Sequence, residues 1–226
     1  LTGNIVDLRG FTGRPTLIMD TLPVVPAGSI VLLKRGETYN ISAATTIDKT
    51  ISIRSGADLA LASTQANIYF TNNFNFGASA TIDSIEFNDV HMYSDAYGSR
   101  YIFNTTNGAT VGKMKFLNSR IEIFRGMTRL QSGTTTVSNY IVDNCVIDSL
   151  SNYGVLTVDN ATCKADKISI TNSTIYKVER IVTSTKNNST SVLIDNCTVN
   201  EAPLASSTGS FIVDYNTFNA TSGITI

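Results

Sequence analysis

The 226-residue chain has no tryptophan, four prolines, one histidine and three cysteines, and only 15% of its residues are charged. Each shortage excludes something. Without Trp, the strongest sugar-stacking side chain is missing. The 17 basic residues face 18 acidic ones for a net charge of −1, with no basic block, so counterion release from a nucleic acid has nothing to act through. No apolar run approaches the roughly 18–20 residues a helix needs to cross a bilayer, so no transmembrane segment is expected. Low charge combined with 42% hydrophobic residues excludes a disordered polar chain. Nucleotide and zinc signatures are also missing. The chain begins at Leu1-Thr2-Gly3 with neither Met nor a signal-like apolar run, so a mature or trimmed form is expected.

Ser, Thr and Asn are abundant, and one phrase recurs: apolar-x-apolar-x-Asn, a small residue, any residue, an aliphatic. It reads Met114-Lys-Phe-Leu-Asn118-Ser-Arg-Ile121, then Tyr140-Ile-Val-Asp-Asn144-Cys-Val-Ile147. It returns as Ile168-Ser-Ile-Thr-Asn172-Ser-Thr-Ile175 and Val192-Leu-Ile-Asp-Asn196-Cys-Thr-Val199. Weaker copies are centred on Asp89 before and Tyr215 after, and the steps along this series are 29, 26, 28, 24 and 19 residues. A period of that length around a period-two strand predicts one supersecondary unit stacked on copies of itself, a β-solenoid.

The alternation assigns faces. Met114, Tyr140, Ile168, Val192 and Phe211 should point inward, as should Phe116, Val142, Ile170, Ile194 and Val213 two positions on. Continuing the same phase turns each Asn inward at a bend, where the amides would form a ladder from row to row. Met92, Ile121, Ile147, Ile175, Val199 and Phe218 then return to the core. A second strand per copy is expected at residues 101–103, 129–131, 155–158 and 181–183. Cys145 and Cys197 share one phrase position with Ser173 between them. Two rows apart means about 9.6 Å, beyond the roughly 7 Å a disulfide spans. Two small, buried, unpaired thiols filling a turn interior are therefore expected. Cys163 has no evident partner, so the cysteines do not fix the compartment.

Residues 26–40 (PAGSIVLLKRGETYN) and 46–56 (TIDKTISIRSG) resemble the opening of right-handed parallel β-helices of the pectin-lyase-like superfamily. Residues 74–87 (FNFGASATIDSIEF) are similar to uncharacterised secreted β-helix proteins of Bacteroidetes, which occur among cell-surface polysaccharide-handling proteins. The resemblance implies an all-β fold, a right-handed single-stranded parallel β-helix, and counting Ser55 as an earlier row of the repeat gives about seven coils. It would form a single domain over 1–226, with 1–25 as an N-terminal cap or lead-in and 26–226 as coils. The resemblance also implies an extracellular or cell-surface bacterial location. The family's catalytic motifs, the vWiDH and RxPxxR segments of pectate lyases and the GHG and RIK elements of polygalacturonases, have no counterpart here. No catalytic residue carries over.

Two outward rows attract attention. Just before the Asn position lie Asn88, Leu117, Asp143, Thr171, Asp195 and Asp214. Asp143, Asp195 and Asp214 are candidate calcium ligands or an acid–base pair, or simply residues favoured at the approach to a turn. After the turn come His91 and Arg120, then Tyr93, Glu122, Asp148 and Tyr176, with Arg125 nearby. Tyr93, Arg120, Arg125 and Tyr176 suit an acidic polysaccharide, rings stacking on pyranoses and guanidinium pairing with uronate. His91, Arg120, Glu122 and Asp148 are the candidate catalytic groups, either for β-elimination or, with Glu122 and Asp148 paired, for glycoside hydrolysis. The plain alternative is an ordinary charged surface ladder.

Three functions follow as expectations. The first is a polysaccharide-binding β-helix with little catalysis of its own. The second is a polysaccharide lyase, ahead of a glycoside hydrolase. The third is a structural or adhesive solenoid of a larger surface protein, since the end at residues 223–226 shows no obvious cap and suggests further domains or a surface partner.

Overall fold

The computed structural model describes residues 3–184, 187, 189–201, 212–213 and 223–225. Every paired strand among them is parallel to its neighbours, and the chain winds as a right-handed β-solenoid of about seven turns. Each coil contributes to three faces. Face one holds Ile5–Asp7, Ser29–Leu33, Ile51–Ser55, Ala80–Asn88, Ala109–Leu117, Thr135–Asp143, Lys164–Thr171, Ser191–Asp195 and Gly223–Thr225 in that order. Face two runs through Thr38–Ile41, Ala66–Phe70, Val90–Ser94, residues 120–122 and 146–148, Thr174–Val178 and Thr198–Asn200. Face three runs through Thr45–Ile47, Phe74–Phe76, Tyr101–Thr105, residues 126–130 and 154–158, Val182–Ser184 and Ile212–Val213.

The period-two reading of the core holds. Met114, Tyr140, Ile168 and Val192 are register partners, as are Phe116, Val142, Ile170 and Ile194, and all are buried. Like side chains therefore stack along the axis. Phe87 and Phe116 lie parallel with centroids 5.7 Å apart, and Phe74, Phe103 and Phe76 continue on face three at 5.5 and 5.2 Å. Each such pair contributes about 0.5–1.5 kcal/mol beyond its burial. The Tyr140 hydroxyl, fully buried, donates to the Val155 carbonyl at 2.9 Å. At the N-terminal end Leu17–Thr21 forms a single helical turn whose Leu17 and Ile18 join Leu8, Leu22 and Val25 in the core.

The turn between faces one and two differs from expectation. Asn118, Asn144, Asn172 and Asn196 do form a ladder, but it is exposed rather than inward. Each sits in the left-handed region (φ 51–53°), which Asn tolerates better than most residues with a Cβ. One left-handed residue resets the alternation. The Asn swings outward, and the next residue, Ser119, Cys145, Ser173 or Cys197, turns toward the interior. Asn118 donates to Asn88 at 2.9 Å, Asn144 to Asn118 at 2.8 Å, Asn172 to Asp143 at 2.7 Å and Asn196 to Asn172 at 2.6 Å. In the first row Asp89 takes the place of Asn (φ 56°) and pairs with Arg35. All three cysteines are unpaired.

Five residues beyond each Asn a second left-handed residue turns face two into face three: Ile123, Ser149, Lys177 and Glu201, at φ 51–63°. The last row also departs from the repeat. Ile212–Val213 pairs with Val182–Ser184 on face three, and Gly223–Thr225 pairs with Ser191–Asp195 on face one. The copy centred on Tyr215 is therefore out of phase with the others. Phe211, Asp214, Tyr215 and Phe218 lie outside the described residues.

Candidate functional site

Face two carries two outward columns. Thr38, Asn67, His91, Arg120, Val146, Thr174 and Thr198 are register partners in one, and Asn40, Tyr69, Tyr93, Glu122, Asp148, Tyr176 and Asn200 in the other. The structure thus brings together His91, Tyr93, Arg120, Glu122, Asp148 and Tyr176 as expected, on rows about 4.8 Å apart. It adds Asn67 and Tyr69. The sequence held a signal for these two, because residues 66–70 (ANIYF) alternate like residues 90–94 (VHMYS). The Asn phrase that set the alignment is missing from that coil.

Asn67, Tyr69, His91, Tyr93, Arg120 and Glu122 form one connected network. The Tyr69 and Tyr93 rings lie 5.2 Å apart, and the His91 ring lies 4.9 Å from Tyr93. His91 Nε2 is 2.8 Å from Glu122 Oε1 and its Nδ1 is 3.0 Å from Asn67 Oδ1. A ring protonated on both nitrogens donates to both. A neutral ring requires the Asn67 amide turned so that its NH₂ donates. Arg120 donates from Nε and an Nη to Glu122 Oε2 at 2.8 and 2.7 Å. Burial acts to raise the Glu122 carboxyl, but the hydrogen bonds and charges of Arg120 and His91 outweigh it and hold it below the ordinary value. Glu122 is thus a firm carboxylate. Asp148 accepts from Ser149 at 2.8 Å, and the Lys177 ammonium lies 4.8 Å from the Tyr176 ring centre.

The family model for a domain of unknown function, DUF4957, matches residues 37–178, from the first face-two strand to the end of the sixth. The chain belongs to the DUF4957 family. No curated protein matches the chain.

The remaining candidates of this DUF4957 protein sit elsewhere. Arg125 lies past the Ile123 corner, away from Arg120. Its guanidinium is 4.8 Å from the Tyr153 ring and 5.9 Å from the Tyr101 ring. It does not balance Glu122 or Asp148 among the described contacts. Tyr153 reaches this corner through a register shift: one residue separates Phe124 from Gly126, whereas three separate their partners Leu150 and Gly154. The sequence pattern gave no warning of that bulge.

On face one, Asp143 and Asp195 are separated by the Thr171 row. The Asp143 carboxylate accepts from Thr171 at 2.6 Å and Asn172 at 2.7 Å. Asp214 is outside the described residues. Among those described, no three His, Cys, Asp or Glu residues gather as a metal site. Among the described residues no helix is long and apolar enough to cross a membrane.

Proposed function

We propose that face two is a polysaccharide-binding strip that holds a sugar chain without transforming it. The supporting observation is the half-buried Tyr69–Tyr93 pair, ring beside ring at 5.2 Å, bordered on successive rows by His91, Arg120, Glu122, Asp148 and Tyr176. Tyr rings offer apolar platforms with a polar edge, suited to pyranose faces. Carboxylates and a half-exposed guanidinium supply directed hydrogen bonds along one line.

The same geometry argues against His91 as a base and Glu122 as an acid. A proton-abstracting base needs a free lone pair, yet both His91 nitrogens are engaged. A hydrolase acid needs a raised carboxyl pKa, whereas Glu122 is held low. The resemblance to pectin-lyase-like β-helices and to secreted Bacteroidetes proteins supports placing the strip outside the cell, where polysaccharides are met.

Affinity electrophoresis through gels containing neutral or acidic polysaccharides tests the reading. Retardation by at least one polymer, abolished or much reduced in Tyr93→Ala, is expected. Free migration through every gel would refute it. Release of unsaturated products absorbing near 235 nm would replace binding by lyase action.

A further inference from the structure

The corner beside face two holds more positive charge than its acids neutralise. Gly126 and Gly154 are register partners there. A Cβ on Gly126 would lie 2.7 Å from the Cβ of Tyr153, and one on Gly154 would lie 1.9 Å from the Arg180 carbonyl oxygen. The adjoining rows pack directly onto these glycines, largely through backbone atoms. Tyr153 lies across Gly126, edge-on to Tyr101 at 5.4 Å, and Arg180 springs from above Gly154. Arg125 and Arg129 both approach the Tyr153 ring, at 4.8 and 4.3 Å from its centre.

Of these three guanidiniums only Arg129 has an acid, Asp159, at 2.7 and 2.9 Å. The side chains of Arg125 and Arg180 make no hydrogen bond or ion pair among the described residues, and Arg180 Nε is fully buried. The hydroxyl of Tyr101, a residue 3% exposed, is buried beside the Arg129 guanidinium, with no acceptor for its own proton among the described residues. Asp159 Oδ1 and Asn104 Oδ1, on residues flanking and facing Arg129, are buried without a partner among the described residues. The other acids nearby are engaged, Glu179 by the Tyr97 hydroxyl at 3.2 Å and Asp95 by Arg100 at 3.0 Å. Buried polar groups are rarely left unmatched. Here the orphans are of two kinds: guanidinium and phenol donors suited to an oxyanion, and carbonyl or carboxylate acceptors suited to hydroxyls. A hydroxylated acid satisfies both.

We infer that the Arg125, Arg180, Tyr101 and Tyr153 corner is a binding site for the oxyanion of an acidic sugar, a carboxylate or a sulfate ester. Arg125 is fixed by ring contacts alone, so its displacement to admit the ligand breaks no hydrogen bond. The proposal rests on the face-two reading only for the polymer that would carry the anion.

The test reads the corner directly. Arginine Nε–H resonances of the ¹⁵N-labelled protein are followed during titration with glucuronate, glucose 6-sulfate and glucose at constant ionic strength. Saturable shifts of Arg125 and Arg180 are expected with at least one acid and none with glucose. Response to glucuronate alone identifies the carboxylate, and to the sulfate alone the ester. Arg125→Gln and Arg180→Gln should each weaken binding about tenfold, with the backbone amide spectrum showing the fold retained. No saturable shift with either acid, an equal shift with glucose, or wild-type affinity in both variants would overturn the site. The wild-type titration stands even if a variant fails to fold. Polymer retention is not measured, so this site and the face-two strip can fail separately.

Discussion

Asn172 separates the two roles of the ladder residue, holding a left-handed corner and bonding its neighbours. Its φ is 52°. Its amide donates to Asp143 at 2.7 Å and accepts from Asn196 at 2.6 Å, while its backbone N–H donates to the Asp195 carbonyl at 3.1 Å. Asn172→Gly removes both side-chain bonds and leaves the corner unstrained. Exposed bonds of this kind contribute about 0.5–1 kcal/mol each, so the loss should be about 1–2 kcal/mol. Asn172→Ala removes the same bonds and forces a Cβ without a compensating amide into the left-handed region, adding about 1 kcal/mol. Urea unfolding followed by circular dichroism should therefore rank wild type above Asn172→Gly above Asn172→Ala. If glycine proves as damaging as alanine, backbone conformation does not limit the corner. A loss of about 3–5 kcal/mol in both variants would instead be the cost of a vacated core position, and would refute the outward ladder.

Ellman's reagent on the native protein should modify Cys197, which is only partly buried, well before Cys145 and Cys163; burial pushes the Cys145 thiol up to about 12, and equal rates would contradict this packing. Glu86 is paired with Arg54 at 2.6 Å and Lys115 at 3.2 Å. Burial raises its carboxyl, yet hydrogen bonds from Lys115 and Ser52 and the charges of Arg54 and Lys115 hold it below its ordinary value. A folded-state pKa below the unfolded one gives stability present above about pH 4.3 and lost as pH falls through the folded value. The urea midpoint should drop over that window, and Glu86→Gln should flatten the drop; an unchanged slope would remove Glu86 from the account. Gly154→Ala meets both a positive φ of 55° and a carbonyl oxygen 1.9 Å from the new Cβ, so a loss of about 2–4 kcal/mol is expected. Near-neutral behaviour in the same unfolding assay would show that the rows do not approach so closely.

The sequence carried the core because inward positions repeat at period two within each strand, and stacking like on like makes rows such as Phe116, Val142 and Ile170 recognisable without coordinates. That logic fails at a corner. One left-handed residue shifts the phase, so Asn144 faces water, the reverse of simple extrapolation, while Cys145 is buried in the turn as expected. The failure was harmless beyond the turn, where His91, Arg120, Glu122 and Asp148 align as expected because every row has the same offset. Arg125 shows the limit. It lies beyond a second corner and beside a bulge present only in the Tyr153 row, and neither leaves a periodic trace. The row around Tyr215 shared the composition of the repeat, but the strands on either side of it pair with different faces.

In the four coils from Asn118 onward the two corners stand five residues apart, at 118 and 123, 144 and 149, 172 and 177, and 196 and 201. The strip between them therefore has constant width, and the unequal steps of the repeat are taken up elsewhere, in the loops and on the other faces. Face two works as a ruled scale with marks at fixed spacing, while the rest of the coil is free to lengthen or shrink. Loops of quite different size could be exchanged around the scale without moving one of its marks.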